Sequence, residues 1–269
     1  MFNVSRRFLL ATLLAVSTVF SSNIFAGDTL QRVIDFKVLK VGMSLSQPPF
    51  NVVSKSGQPM GFDVDLARAL ASAMQVKLDI KAMPFRDLIT ALEDNKVDMI
   101  ISGMEITPER TEVVSFVGPY MMSGKSILTK NSVLTKVHGS DEFDRKDLKL
   151  VALAGSTSAS FVKNVAPSAT LIEVADYDLG VAMILEDKAD AMVADLPICA
   201  LTVMRYPEAG LTTLSEPLTI APVGIAISKD DPQFLNLVEN YLDAYGKVGL
   251  LTKMRKKWLE DKSWIAALP

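Results

Sequence analysis

One cysteine and one histidine in 269 residues close off much of the usual chemistry. Cys199 has no partner for an intramolecular disulfide, so the chain must hold together through its core, which a chain of this length can do. His138 lies in a polar run, HGSDE, with no cysteine or second histidine beside it. That argues against a metal centre and leaves a serine hydrolase without a base. The acidic pairs, as in FDVDLA, lack the spacing of a calcium loop. A large excess of positive charge is also missing. The formal net charge is −3, and it becomes −5 once the two arginines of the first 26 residues are set aside, so nucleic acid is not an expected partner. Past residue 26 no apolar run is long enough to span a bilayer, and there is neither a short-period repeat nor a low-complexity tract.

What is present begins with a targeting signal. MFNVSRRFLLATLLAVSTVFSSNIFA has a basic start, an apolar middle from Phe8 to Phe20 and a small residue at Ala26, the pattern of a cleaved secretory signal peptide. Arg6 and Arg7 match the twin-arginine export signal only in part, which favours ordinary Sec export. No cysteine follows the cleavage region to carry a lipid. The mature chain, from about Gly27, is expected in the periplasm.

From Val38 the chain alternates short apolar runs with amphipathic stretches: VLKVGMSL, FDVDLARALASAMQ, VKLDIKAM, FRDLITALEDNK and VDMIIS read as strand, helix, strand, helix, strand. In the first of these helices Leu66, Leu70, Ala73 and Met74 form the apolar face, and Asp63, Arg68 and Gln75 are expected away from it. The rhythm then breaks into the long extended stretch SFVGPYMMSGKSILTK and the polar segment HGSDEFDRKD. A second strand and helix series follows: LKLVALAG, a helix from Ser158, LIEVA, a helix around Leu179 to Leu185, ADAMVAD, and a helix after Pro197. EPLTIAPVGIAIS is a second extended crossing, and two helical stretches close the chain. The pattern predicts an α/β protein of two lobes, each a mostly parallel sheet flanked by helices, joined by a two-strand hinge. The expected divisions are residues 27–124 for the first part of lobe 1, 125–220 for lobe 2 and 221–269 for the return to lobe 1. Ligands of open α/β sheets bind at the carboxyl ends of the strands, which here face a cleft that would close on its ligand.

Three turns at those strand ends carry candidate chemistry. In SGMEITPER, Thr107 and Pro108 have the residue types of a helix start, and Glu109 suits the positive first turn. Arg110 opposes that dipole, so a carboxylate partner is the expected reason for its place. In AGSTS the turn opens a helix and forms an anion cradle of backbone N–H groups. Asp195, after ADAMVA, is an acid at a strand end, suited either to an ammonium group or to capping the next helix.

The ordered series PPF, GFDVDLARAL, ALEDNKVDMIISGMEITPER, VSFVGPYMMSG, ILTK, AGSTSASF and KADAMVAD resembles the periplasmic substrate-binding proteins that serve ABC importers of polar amino acids, the bacterial extracellular solute-binding proteins of family 3. The likeness runs from about Val38 to Trp258. It implies the two-lobed periplasmic-binding-protein fold, no cofactor, no catalysis, a monomer, a small amino-acid-like ligand and the membrane subunits of an ABC transporter as partner. It also implies site roles. Arg110 would pair with a ligand carboxylate. Gly103 would offer a carbonyl and Glu105 an N–H, Thr157 an N–H and hydroxyl, and Asp195 a partner for the ammonium. Phe85 would be an aromatic wall, although it reads equally as core, and Ser102 and Ser156 complete the candidate set.

Glu105 departs from the family pattern, which has Thr or Ser there. Two carboxylates facing one ammonium would suit a ligand with extra positive charge. Alternatively Glu105 folds onto Arg110, or it points away and only its backbone is used. Gln47 stands where many relatives have an aromatic, Phe50 is assigned to packing, and Arg86 and Lys125 are expected as exposed, solvated charges. The same fold and a related turn occur in cyclohexadienyl dehydratases, but the acid expected just after Asp195 is missing from Leu196-Pro197-Ile198-Cys199. A sensory module working through a separate membrane receptor is the remaining alternative.

Overall fold

The computed structural model describes residues 29–131, 134 and 143–269, so the targeting segment and His138 lie outside the described residues. The chain enters through helix α1 (Thr29–Phe36), strand β1 (Val38–Met43) and a small antiparallel meander of β2 (Ser46–Gln47), β3 (Asn51–Val53) and β4 (Pro59–Met60). Helix α2 (Phe62–Ala73), β5 (Lys77–Ala82), a 3-10 turn at Phe85–Asp87, α3 (Leu88–Glu93), β6 (Met99–Ile100), α4 (Pro108–Thr111) and β7 (Val114–Ser123) complete its first pass through lobe 1. Strand β8 (Lys125–Thr129) starts lobe 2, followed by β9 (Lys149–Leu153), α5 (Thr157–Val165), β10 (Thr170–Val174), α6 (Tyr177–Leu185), β11 (Ala191–Asp195), α7 (Leu196–Arg205) and β12 (Thr212–Thr213). The chain returns through β13 (Ala221–Ser228), α8 (Pro232–Lys247) and α9 (Leu250–Arg255).

The lobe 1 sheet has the order β5-β1-β6-β13-β7 and the lobe 2 sheet the order β10-β9-β11-β8-β12. In each, the strands joined by helices pair in parallel, whereas the crossing strands β7, β8 and β13 pair antiparallel to their neighbours. Parallel pairing is thus confined to the strand-helix-strand units, which need a crossover connection, and the strands that leave and re-enter a lobe run the other way.

Apolar faces at helical spacing hold the helices on their sheets. On α8 the buried residues are Phe234, Val238 and Leu242, four apart. The same helix packs on α2, where the Tyr245 hydroxyl donates to the Ala69 carbonyl at 2.9 Å. One expectation for α2 needs correcting: Asp63 is fully buried. The first turn of this helix is enclosed by β7 and the meander, and Asp63 accepts hydrogen bonds from the Tyr120 hydroxyl and the Asn51 amide, both at 2.8 Å. Burial pushes its carboxyl up to about 6 against the opposing hydrogen bonds from Tyr120, Asn51 and the Gly103 N–H.

Candidate functional site

The turn after β6 is fastened to the returning strand. Gly224 N–H donates to Met104 O at 2.9 Å and Ile106 N–H to Pro222 O at 2.8 Å, which places Glu105 opposite Val223 as a pair that exchanges no hydrogen bonds. In such a pair the residue's own N–H and C=O point away from the partner strand, here toward the cleft. Thr107 then caps α4, its hydroxyl accepting from Arg110 N–H at 3.3 Å, with Pro108 at the first helical position.

That cap sets where Arg110 points. Its guanidinium donates to Glu105 O at 2.9 Å and, across the cleft, to Gly155 O of the other lobe at 3.3 Å, while lying 5.6 Å above the Phe85 ring. Among the described residues no carboxylate lies within ion-pair distance of it. Burial lowers its pKa, opposed by the nearby charges of Glu105 and Asp195. Phe85 is buried in the lobe 1 core and supports the arginine from behind.

On the other side, Ser156 caps α5. Its hydroxyl accepts from Ala159 N–H at 3.2 Å and donates to Leu153 O at 2.6 Å. Thr157, the first helical residue, lies on the cleft wall with Glu105. Asp195 is not a side-chain cap for α7, which settles one of its two readings. Its carboxylate instead meets Lys125 Nζ at 2.8 Å, and the same ammonium contacts Glu105 Oε1. Glu105, Lys125 and Asp195 are 5%, 4% and 6% exposed.

Lys125 is therefore a correction: expected in solvent, it is buried between two acids. The reason is register. Lys125 stands directly opposite Asp195 in the antiparallel β8–β11 pair, at the head of a strand buried throughout. Its backbone is fixed by Thr219 Oγ1, which accepts from Lys125 N–H at 3.0 Å, and by Leu218 N–H, which donates to Lys125 O at 2.7 Å. Gly124 permits this, since a Cβ there would sit 1.8 Å from Thr219 O. Arg86, by contrast, is exposed as expected.

Glu105 thus does not fold its carboxylate onto Arg110. Its carbonyl takes the arginine, and its carboxylate takes a lysine of the protein itself. Burial alone would raise Glu105, but the facing ammonium outweighs it and holds the carboxyl below the usual range. Asp195, buried beside the charge of Glu105, is pushed up to about 6 by burial despite Lys125.

A cleft of about 640 Å³ lies between the lobes, within the usual range for small-molecule sites. Glu105, Arg110, Lys125, Ser156 and Thr157 are on its wall, with Ile106, Phe161, Ile220 and Pro222 as the apolar part. Ser102, Gly103, Phe85 and Asp195 are not on the wall, and Asp195 meets it only through Lys125. Ser102 is fully buried beneath the turn, where its hydroxyl accepts from Ser44 N–H at 3.0 Å. Phe50 is core, as assigned, and Gln47 is buried with no partner for its Nε2 among the described residues.

A two-lobed α/β chain with polar turns converging from both lobes on one cleft is a solute-binding architecture. The chain belongs to the bacterial extracellular solute-binding proteins, family 3, whose profile matches residues 39–261. It is similar to ABC transporter arginine-binding protein 1 of Escherichia coli (strain K12), 27% identical over 94% of this chain and 98% of that one. It is also similar to the cyclohexadienyl dehydratase of Pseudomonas aeruginosa, 26% identical over 95% of this chain and 96% of that one. Among solved structures it resembles the ancestral amino acid-binding protein AncCDT-1, a precursor of cyclohexadienyl dehydratase, with a TM-score of 0.79 and 34% identity over 86% of this chain and 99% of that one.

Proposed function

We propose that the protein is exported to the periplasm, losing its first 26 residues, and there captures a small amino-acid-like molecule bearing a carboxylate. The closed form is then presented to the membrane subunits of an ABC importer. Contacts from both lobes favour closure, and the transporter reads the difference between open and closed. The protein acts as a monomer, without cofactor and without turnover.

The observation that carries this reading is Arg110. It is a partly buried guanidinium reaching both lobes, held by two backbone carbonyls and lacking a carboxylate partner among the described residues. A planar fork in that state matches a ligand carboxylate. Asp195, Glu105 and Thr157 supply the rest of the polar surroundings. The extra positive charge that two acids call for, and that suggested a cationic ligand, comes here from Lys125.

A second reading, turnover of a cyclohexadienyl acid, is favoured by the likeness to the dehydratase and by Asp195, whose raised carboxyl could hold a proton near neutral pH. Against it stand the engagement of Asp195 by Lys125 and the lack of any carboxyl group in Leu196–Cys199. A thermal-shift screen separates the two. Protein unfolded and refolded to strip carried ligand is tested against amino acids, polyamines, opines and organic acids at millimolar concentration. Capture predicts a rise in melting temperature with at least one of them and no consumption of it. Conversion of prephenate or arogenate would move the protein to the enzyme reading.

A further inference from the structure

The place that would receive a ligand's α-ammonium is already filled. Its two acids, Glu105 from lobe 1 and Asp195 from lobe 2, both turn to Lys125 Nζ, and the side chains of the three are between 5% and 8% exposed. The lysine did not drift there on a loose stem, because β8 is fixed at Lys125 by Asp195 across the sheet and by the Leu218–Thr219 segment of the second crossing. A lysine ammonium carries three donors and no acceptor. Two donors are used by Glu105 and Asp195, and the third has no acceptor among the described residues. Lys125 also lines the cleft that holds Arg110. A ligand fixed by its carboxylate on Arg110 would therefore face Lys125 with its neighbouring substituent. An amino group there sets donor against donor and cation against cation. An oxo, hydroxyl or second carboxylate group sets acceptor against donor.

We infer that Lys125 stands in for the ligand's ammonium group, so that this cleft selects small organic acids lacking an α-amino group, of the 2-oxo, 2-hydroxy or dicarboxylic class, and rejects the corresponding α-amino acids. The inference rests on the cleft being a solute site with Arg110 as its carboxylate partner, and it narrows the ligand within that reading.

Matched sets of compounds test it by isothermal titration of the refolded protein: L-glutamate, 2-oxoglutarate and 2-hydroxyglutarate; L-phenylalanine and phenylpyruvate; L-arginine and 5-guanidino-2-oxopentanoate. The expected result is that in at least one set the oxo or hydroxy member binds at least tenfold more tightly than the amino member. Lys125→Met should reverse that preference by freeing the two acids for an ammonium. If that variant does not fold, Lys125→Met combined with Glu105→Thr leaves a single acid and gives the same readout. Tighter binding of the amino member by the unaltered protein would overturn the role of Lys125 while leaving solute capture in place. If the unaltered protein binds none of these compounds but a Lys125 variant gains an amino acid, the occupied-subsite inference is supported. Binding of nothing by any of the proteins would overturn the reading of the cleft and this inference with it.

Discussion

Two groups of buried acids in this molecule are accommodated in different ways. Inside lobe 1, Asp63 is surrounded by neutral donors, the Tyr120 hydroxyl and the Asn51 amide, and every partner belongs to the same lobe. Between the lobes, Glu105 and Asp195 share one cation, and the three residues come from β8, β11 and the turn after β6. In the first arrangement burial raises the carboxyl among neutral donors, and no moving part is needed. In the second a cation holds Glu105 below the usual range while Asp195 is still raised, and the Glu105–Lys125 contact joins the two lobes. A buried acid built for rigidity and one built for a cleft can thus be told apart by whether their partners are neutral and local or charged and shared across a hinge.

The largest change in binding should come from removing Arg110, the cation that meets no carboxylate among the described residues. Arg110→Ala should weaken binding of whichever compound the unaltered protein takes up by about 2–5 kcal/mol, roughly thirtyfold to several thousandfold by titration. Asp63→Asn should leave that affinity unchanged. Next is the shared lysine. Lys125→Met strands two acids and should lower stability by about 3–5 kcal/mol in urea, with part of the loss returned when Glu105→Thr is added.

The Asp63 side of the comparison has its own signature in pH. Its folded pKa of about 6 lies above the ordinary value of 3.8, so the folded state holds the proton more tightly. The stability this contributes is complete below about pH 4 and is lost as pH rises through 6, a change of about 3 kcal/mol. Asp195 shifts in the same direction, so Asp63→Asn should reduce the slope of stability against pH between 4 and 6 without abolishing it. The smallest effect is expected at Gly155. Its φ is +73°, so Gly155→Ala should cost about 1–2 kcal/mol in either state, and a Cβ 2.8 Å from Arg86 Cβ across the cleft adds a penalty on closing alone. Small-angle scattering with bound ligand should then show more of the open form.

Much of the fold was legible because its signals are local. The runs from VLKVGMSL to VDMIIS became β1, α2, β5, α3 and β6, and glycine, proline and hydroxyl residues marked the turns before α4 and α5. The short meander between β1 and α2 and helix α1 were missed, since two- and three-residue strands and an eight-residue helix carry too little periodicity to read. The antiparallel course of the crossing strands was missed for another reason: pairing direction depends on partners far away in sequence. The same blindness explains Lys125 and Asp63. Asp195 is 70 residues from Lys125, and Tyr120 is 57 from Asp63, so no local pattern announces either contact. One signal was available for Lys125. A lysine that directly follows a glycine at the hinge and leads the apolar strand KSILT cannot reach solvent easily and needs a buried counter-charge.

The most direct measurement is a crystal structure of the protein bound to the tightest compound from the matched sets. The account predicts Lys125 Nζ still between the Glu105 and Asp195 carboxylates, with the ligand's carboxylate on the Arg110 guanidinium and an oxygen of the ligand facing the lysine. A ligand ammonium lying between the two acids, with Lys125 displaced from them, would contradict it.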